Sequence, residues 1–271
     1  MTGALANLQR SLAQAVKFAV TPVLVSALAL LASAGAAAQG NAAMQILKRM
    51  TDYIGEQKAI LATVDTDVEV VTTELQKIQF ASSGQVLLNR PDKIRASRTG
   101  GYADMELVFD GKTLSILGKN LNSYTQIDAP GTLDQLVERL RTESGAALPF
   151  ADLLLARAYE ELSADVIDAK HIGRGVIDGV ECEHLAFRTP EVDWQLWVEL
   201  GPRPIPRKYV ITSKTVTGSP QYTLQVKEWR TDAPSGASLF TFRPPQGSTK
   251  VVAETLKQID EVPAGVVRGK R

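Results

Sequence analysis

The sequence predicts an α+β fold: a large, curved antiparallel sheet with about three helices covering one of its faces. Three observations carry this. A helix pattern at 41–56 gives way to strand patterns up to residue 128, then two helix patterns up to 163, then strands again. Asp110-Gly111 and Asp178-Gly179 each stand between apolar runs, which signals two-residue hairpins and hence antiparallel pairing. An antiparallel sheet has one face to bury, and amphipathic helices are what remains to bury it.

The first helix follows from Ala43, Ile46, Leu47, Met50 and Ile54, which fall on one stripe at helical spacing. Residues 59–72, "AILATVDTDVEVVT", alternate apolar and polar and read as a half-buried strand. Strands continue through 77–128, including "MELVF" and "TLSIL" on either side of Asp110-Gly111, and end with Tyr124 to Ile127 before Pro130. Leu133, Leu136, Val137 and Leu140 predict a second helix. A third starts near Pro149 and carries Leu153, Leu154, Ala158 and Leu162, with Gly145 in the join. The later strands are "HIGRGVI", "VECEHLAF", "WQLWVEL", "RKYVITS" and "YTLQVKEW"; "SLFTFRPPQG" predicts a last short strand stopped by prolines.

Residues 1–38 differ in kind. They contain Arg10 and Lys17 but no acid, and an uncharged run from Phe18 ends in Ala36-Ala37-Ala38. A basic start, an apolar segment and a small-residue triplet predict a cleavable secretory signal at 1–38; an uncleaved anchor is the rival reading. The expected organisation is then one domain at 39–250 and a loosely ordered tail at 251–271. Without Arg10 and Lys17 the chain has 28 basic and 30 acidic residues, so no field draws it to nucleic acid. Cys182 is the one cysteine, so no internal disulfide forms and the core must hold by burial.

Catalytic patterns are scarce. "ECEH" at 181–184 puts Cys182 and His184 on one strand face, and His171 is the only other histidine. That is too few for zinc, which needs three or four convergent ligands. "DGKT" at 110–113 lacks the earlier glycine of a phosphate loop, having Glu106 in its place, and "GRGVIDG" at 173–179 has the wrong spacing for a dinucleotide. There is no Gly-x-Ser-x-Gly elbow. Trp194 and Trp197, three apart, face opposite sides of a strand. No cofactor, no metal and no catalysis are the expectation.

One stretch stands out: "GQVLLNRPDKIRASR" at 84–98, where Arg90-Pro91 cuts an apolar run that resumes at Ile94. Its "GQVLLNRPDKIRAS" resembles the periplasmic lipoprotein carriers of the LolA/LolB type, as do "ELVFDGKTLSIL" and "LFTFRPPQG". "IDAPGTLDQL", "LPFADLL" and "CEHLAFRTPEVDWQLW" resemble more closely a family of predicted periplasmic proteins known as a domain of unknown function. The resemblance runs from about Ala43 to Gly247. It implies an incomplete antiparallel β-barrel, a strongly curved sheet whose concave face is covered by helices as a lid over an apolar cavity. Arg90 matches the arginine that contacts lid backbone in the carriers; a solvated edge charge is the other reading of Arg90. The carriers' aromatic-rich strands are here mostly Leu and Val.

The function so implied is non-catalytic periplasmic binding of a lipid or a lipoprotein acyl chain. Leu88, Phe109, Leu136, Leu140, Leu154 and Trp194 are the candidate lining residues, with Arg90 beside them. An interaction or envelope-stress sensor domain, with a filled core and an envelope protein partner, is the alternative. Pattern alone leaves open whether the interior is hollow or filled.

Overall fold

The computed structural model describes residues 22–144, 149–256, 259, 260, 262, 263 and 266, with side chains from residue 39 onward apart from 144 and 149. Two units are distinguished, Met1–Ala38 and Gln39–Arg271. In the first, only the backbone of helix α1 (Pro22–Glu56, which runs on into the second unit) is described, so residues 1–21 of the predicted signal at 1–38 lie outside the described residues. Among the described residues no helix is long and apolar enough to cross a membrane.

After α1 come β1 (Ala59–Val71), β2 (Lys77–Asn89), β3 (Lys93–Gly100), β4 (Met105–Phe109), β5 (Thr113–Gly118) and β6 (Ser123–Asp128). Helices α2 (Leu133–Ser144), α3 (Pro149–Leu154) and α4 (Ala158–Ser163) follow. The chain returns to strands with β7 (Asp168–Ile177), β8 (Val180–Arg188), β9 (Val192–Glu199), β10 (Pro206–Ser213), β11 (Gln221–Arg230) and β12 (Thr249–Lys250). All twelve form one sheet in the order β12-β6-β5-β4-β3-β2-β1-β11-β10-β9-β8-β7, antiparallel except for the parallel pair β12–β6. The sheet does not close: β12 and β7 are its edges, as an incomplete barrel requires.

Alternation along the strands decides what lies inside. Leu88 pairs with Ile60 and Ile94, and Ile94 pairs with Phe109, so these four share one face. On the other half of the sheet Leu185, Leu196, Tyr209 and Leu224 form a matching row. Onto this face pack the stripe Ala43, Ile46, Leu47, Met50 and Ile54 of α1, Leu133 and Leu136 of α2, and Leu153 and Leu154 of α3, in one continuous core. Sheet and helices thus bury each other's apolar face, the main stabilising term of the fold.

The opposite face is covered in part by the C-terminal segment. Leu87, Val108 and Leu117 point away from the helices yet are buried. Arg95 of β3 donates to the Leu239 carbonyl at 2.7 Å, holding a short 3₁₀ turn, Ala237–Phe240, that buries Phe240. Phe242 meets the Tyr124 ring at 5.4 Å.

Four local expectations need correction. The predicted strand in "SLFTFRPPQG" is this 3₁₀ turn and an extended segment, because its carbonyl is bound by an arginine side chain instead of a neighbouring strand. The hairpin at Asp110-Gly111 is longer than two residues: Phe109 pairs with Leu114, and the Asp110 carboxylate accepts from the amides of Lys112 and Thr113. The third helix is split into α3 and α4, giving four helices where about three were expected. Part of the segment expected to be loose beyond 250 is anchored: Val251 N donates to Tyr124 O, and Leu256 is buried. The Asp178-Gly179 hairpin is the two-residue turn that its sequence predicts. Ile177 pairs with Val180, and both turn residues have positive φ, 49° and 79°.

Candidate functional site

Three helices converge on the turn between β2 and β3, and Arg90 is the residue that ties them. Helix α1 has no basic residue in its last turn, and neither has α3, so both C-termini lack a charge of their own to meet their free carbonyls. Arg90 supplies it. Its Nε donates to Gln57 O at 3.1 Å, and its Nη2 donates to Ile54 O at 3.4 Å and to Leu154 O at 2.7 Å. The planar, forked guanidinium can serve several carbonyls at once, which a lysine ammonium does less well.

The backbone of the same turn is also engaged. Arg90 N donates to Lys58 O at 2.9 Å, and Leu133 N, the first residue of α2, donates to Pro91 O at 2.9 Å. The Arg90–Pro91 peptide is cis. With Pro91 lacking an N–H, the ladder stops and the carbonyl is free to receive α2. Helix α2 is itself set by a capping box: Gln135 N donates to Thr132 Oγ1 at 3.3 Å, and Thr132 N to Gln135 Oε1 at 2.9 Å. That Thr-x-x-Gln signature was present in the sequence and is the signal that would have located the start of α2.

Helices α2 and α3 hold each other too. Asp134, in the first turn of α2, accepts from Ala156 N just past the end of α3 at 3.2 Å. Arg141 pairs with Asp152 of α3 and, at 3.3 Å, with Glu161 of α4. The split between α3 and α4 therefore exposes polar groups that find partners: the Leu154 carbonyl on Arg90, the Ala156 amide on Asp134. Burial pulls the Arg90 guanidinium pKa down, and the negative charge of Asp134 opposes that. Burial raises the Asp152 carboxyl, with Arg141 pulling the other way.

The structure brings the candidate lining residues together. Leu88, Phe109, Leu136, Leu154 and Trp194 are all buried members of the one core, and Leu140 packs against it half-buried. They are packed against their neighbours: Trp194 stacks on Phe187 at 3.9 Å and meets Tyr209 edge-on at 5.8 Å. Two surface depressions lie elsewhere. One, of about 620 Å³, is a polar groove bordered by Asp134, Glu138, Arg139, Arg141, Arg157 and Glu161; the other, of about 430 Å³, lies along β1–β3 beside Asp65, Asp67 and Ser83. The arrangement is thus a closed one, with helices latched onto an apolar sheet face.

The "ECEH" residues do not converge. His171 pairs with Leu185 on the helix-covered face, where its Nε2 lies 2.6 Å from Glu183. Cys182 and His184 sit on the other face, where His184 stacks on Trp197 at 4.1 Å and bonds Gln195 at 3.0 Å. Burial pushes the Cys182 thiol pKa up. Among the described residues no group of three or more His, Cys, Asp or Glu side chains could hold a metal ion.

No curated protein matches the chain significantly. Among solved structures it is similar to the lipoprotein LppX of Mycobacterium tuberculosis, at 13% identity over 73% of this chain and 98% of that one, with a TM-score of 0.45. It is similar as well to LprF from Mycobacterium bovis, at 13% identity over 73% and 97% of the two chains, TM-score 0.46. MucB in the Pseudomonas aeruginosa MucA/MucB complex is a further likeness, at 14% identity over 74% of this chain and 61% of that one, TM-score 0.41. At these values no ligand or partner carries over from them. A family model does match, over residues 43–253, and the chain accordingly belongs to the family described as "Predicted periplasmic protein (DUF2092)".

Proposed function

We propose that the protein is a non-catalytic periplasmic binding protein, exported by a signal removed after Ala38. On this reading an apolar ligand, a lipid or the acyl chain of a lipoprotein, enters between the sheet and helices α1–α3 when the Arg90 latch opens. The observation that carries it is that latch. One arginine on the sheet joins the ends of two helices, while the apolar faces on either side rest on each other. Such a contact can be exchanged for water at modest cost, because freed carbonyls and guanidinium are readily hydrated. The gain on the other side is removal of acyl surface from water, ~0.8 kcal/mol per CH₂. Native mass spectrometry of protein taken from its host envelope tests this. Co-purifying lipid, and uptake of a fluorescent fatty acid, are expected; repeated empty spectra with no uptake would overturn it.

A second reading, an interaction or sensor domain acting through an envelope protein, is favoured by one observation: the candidate lining residues are closed into a packed core. A specific, saturable protein partner together with an interior that takes up no lipid would select it.

A further inference from the structure

Trp229 carries a buried donor that no group among the described residues uses. It lies on β11 directly opposite Ala62 of β1, whose other neighbour is Val86 of β2. Ala62 and Val86 belong to the helix-covered core, and Trp229 packs half-buried against it, so its ring is on the same face. Its Nε1–H is shut off from water and has no acceptor among the described residues.

The position matters. The Val86–Ala62–Trp229 row is two residues along the strands from the Leu88–Ile60 row, which adjoins the Asn89–Ala59 pair beside Arg90. Two residues of strand are about 7 Å. Trp229 also lies beyond the last rung between β10 and β11, Lys208–Gln225, so no paired strand flanks it on that side. The donor thus sits on the covered face, in a part of β11 that has no β10 partner.

A buried N–H without a partner costs about as much as a lost hydrogen bond, and folded proteins keep few of them. Phenylalanine would keep an aromatic ring on the core, though a smaller one, without that cost, and tryptophan is used inside proteins where its N–H can reach an acceptor. Resting on the binding function proposed above, we propose that the Trp229 indole N–H is the polar handle of the site. It donates to a carbonyl oxygen of the ligand, and so selects acyl esters or amides over plain hydrocarbon. An indole only donates and carries no charge, so it would read an acceptor without requiring an anion.

The test uses ¹⁵N-labelled protein purified from the envelope of an expressing host, with methyl palmitate and n-hexadecane as probes. Trp229→Phe identifies the Trp229 indole resonance by its loss. Methyl palmitate should move that resonance downfield and bind roughly three- to tenfold tighter than hexadecane, a preference absent in Trp229→Phe. If methyl palmitate binds without moving the resonance, or Trp229→Phe keeps the preference, the handle is refuted while the binding function stands. If neither probe binds, both fall.

Discussion

The Arg90 guanidinium donates to the Leu154 carbonyl at 2.7 Å, joining a turn of the sheet to the C-terminal end of α3 across 64 residues of chain. The same side chain reaches Ile54 O in the last turn of α1 and Gln57 O just past it; its loss takes this donor from three carbonyls, of which Ile54 O keeps Gln57 N at 3.2 Å. Hydrogen bonds to a charged donor are each worth about 1.5–3 kcal/mol, partly recovered here by hydration of the freed groups. Arg90→Leu should therefore fold, with stability lower by about 2–4 kcal/mol in urea titration. Arg90→Lys should recover part of the loss, since an ammonium can meet one or two of these carbonyls but lacks the fork.

Phe109 is wholly buried, at 0% exposure, and Leu88 is exposed by only 1%. In a closed, packed interior Phe109→Ala should cost about 3–5 kcal/mol and Leu88→Ala about 2–5 kcal/mol. Chemical denaturation checks both. A cost below about 1 kcal/mol at either position would mean that its side chain borders empty volume instead of packed neighbours.

Thr132 and Gln135 cap α2 reciprocally. Thr132→Ala should remove about 1 kcal/mol and speed hydrogen exchange in the first turn of α2, while leaving the exchange of β7–β9 amides unchanged. Uniform acceleration across the sheet would contradict the local role.

Asp178, in the β7–β8 turn, accepts from Lys227 Nζ and from Gln225 Nε2 of β11, both at 2.8 Å. The Lys227 and Gln225 hydrogen bonds, in that order, hold its carboxyl below the ordinary value of 3.8. An acid whose folded pKa is lowered contributes stability above the unfolded value, and that contribution vanishes as pH falls through the folded value. The stability difference between wild type and Asp178→Asn should thus be present at neutral pH and close below about pH 3.8. Urea midpoints at pH 7 and pH 2.5 measure it; a difference that persists unchanged at low pH would refute the tether.

Much of the architecture was legible because it rests on periodicity. The α1 stripe, the alternation of β1 and the Asp178-Gly179 turn each follow from spacing or from a backbone preference that few residues satisfy. What was not legible depends on side chains reaching backbone far along the chain. The split of the third helix is matched by partners at Arg90 and Asp134, and the late 3₁₀ turn by Arg95. No local pattern encodes such partners. Of the chosen residues, Leu88, Phe109 and Trp194 lie on the helix-covered sheet face, because alternation fixes which side of a strand faces the helices, while Leu136, Leu140 and Leu154 meet that face from α2 and α3. The role of Trp229 was not legible because it rests on an indole N–H with no acceptor among the described residues, which sequence cannot display.

The most direct test of the account is the rate at which a fluorescent fatty acid leaves the protein. Stopped-flow dilution of the loaded wild type and of Arg90→Leu, matched by circular dichroism, isolates the latch from the fold. Release about tenfold faster from Arg90→Leu is expected, equivalent to ~1.4 kcal/mol of retention. Equal rates from the two proteins, or a wild type that never loads, would contradict it.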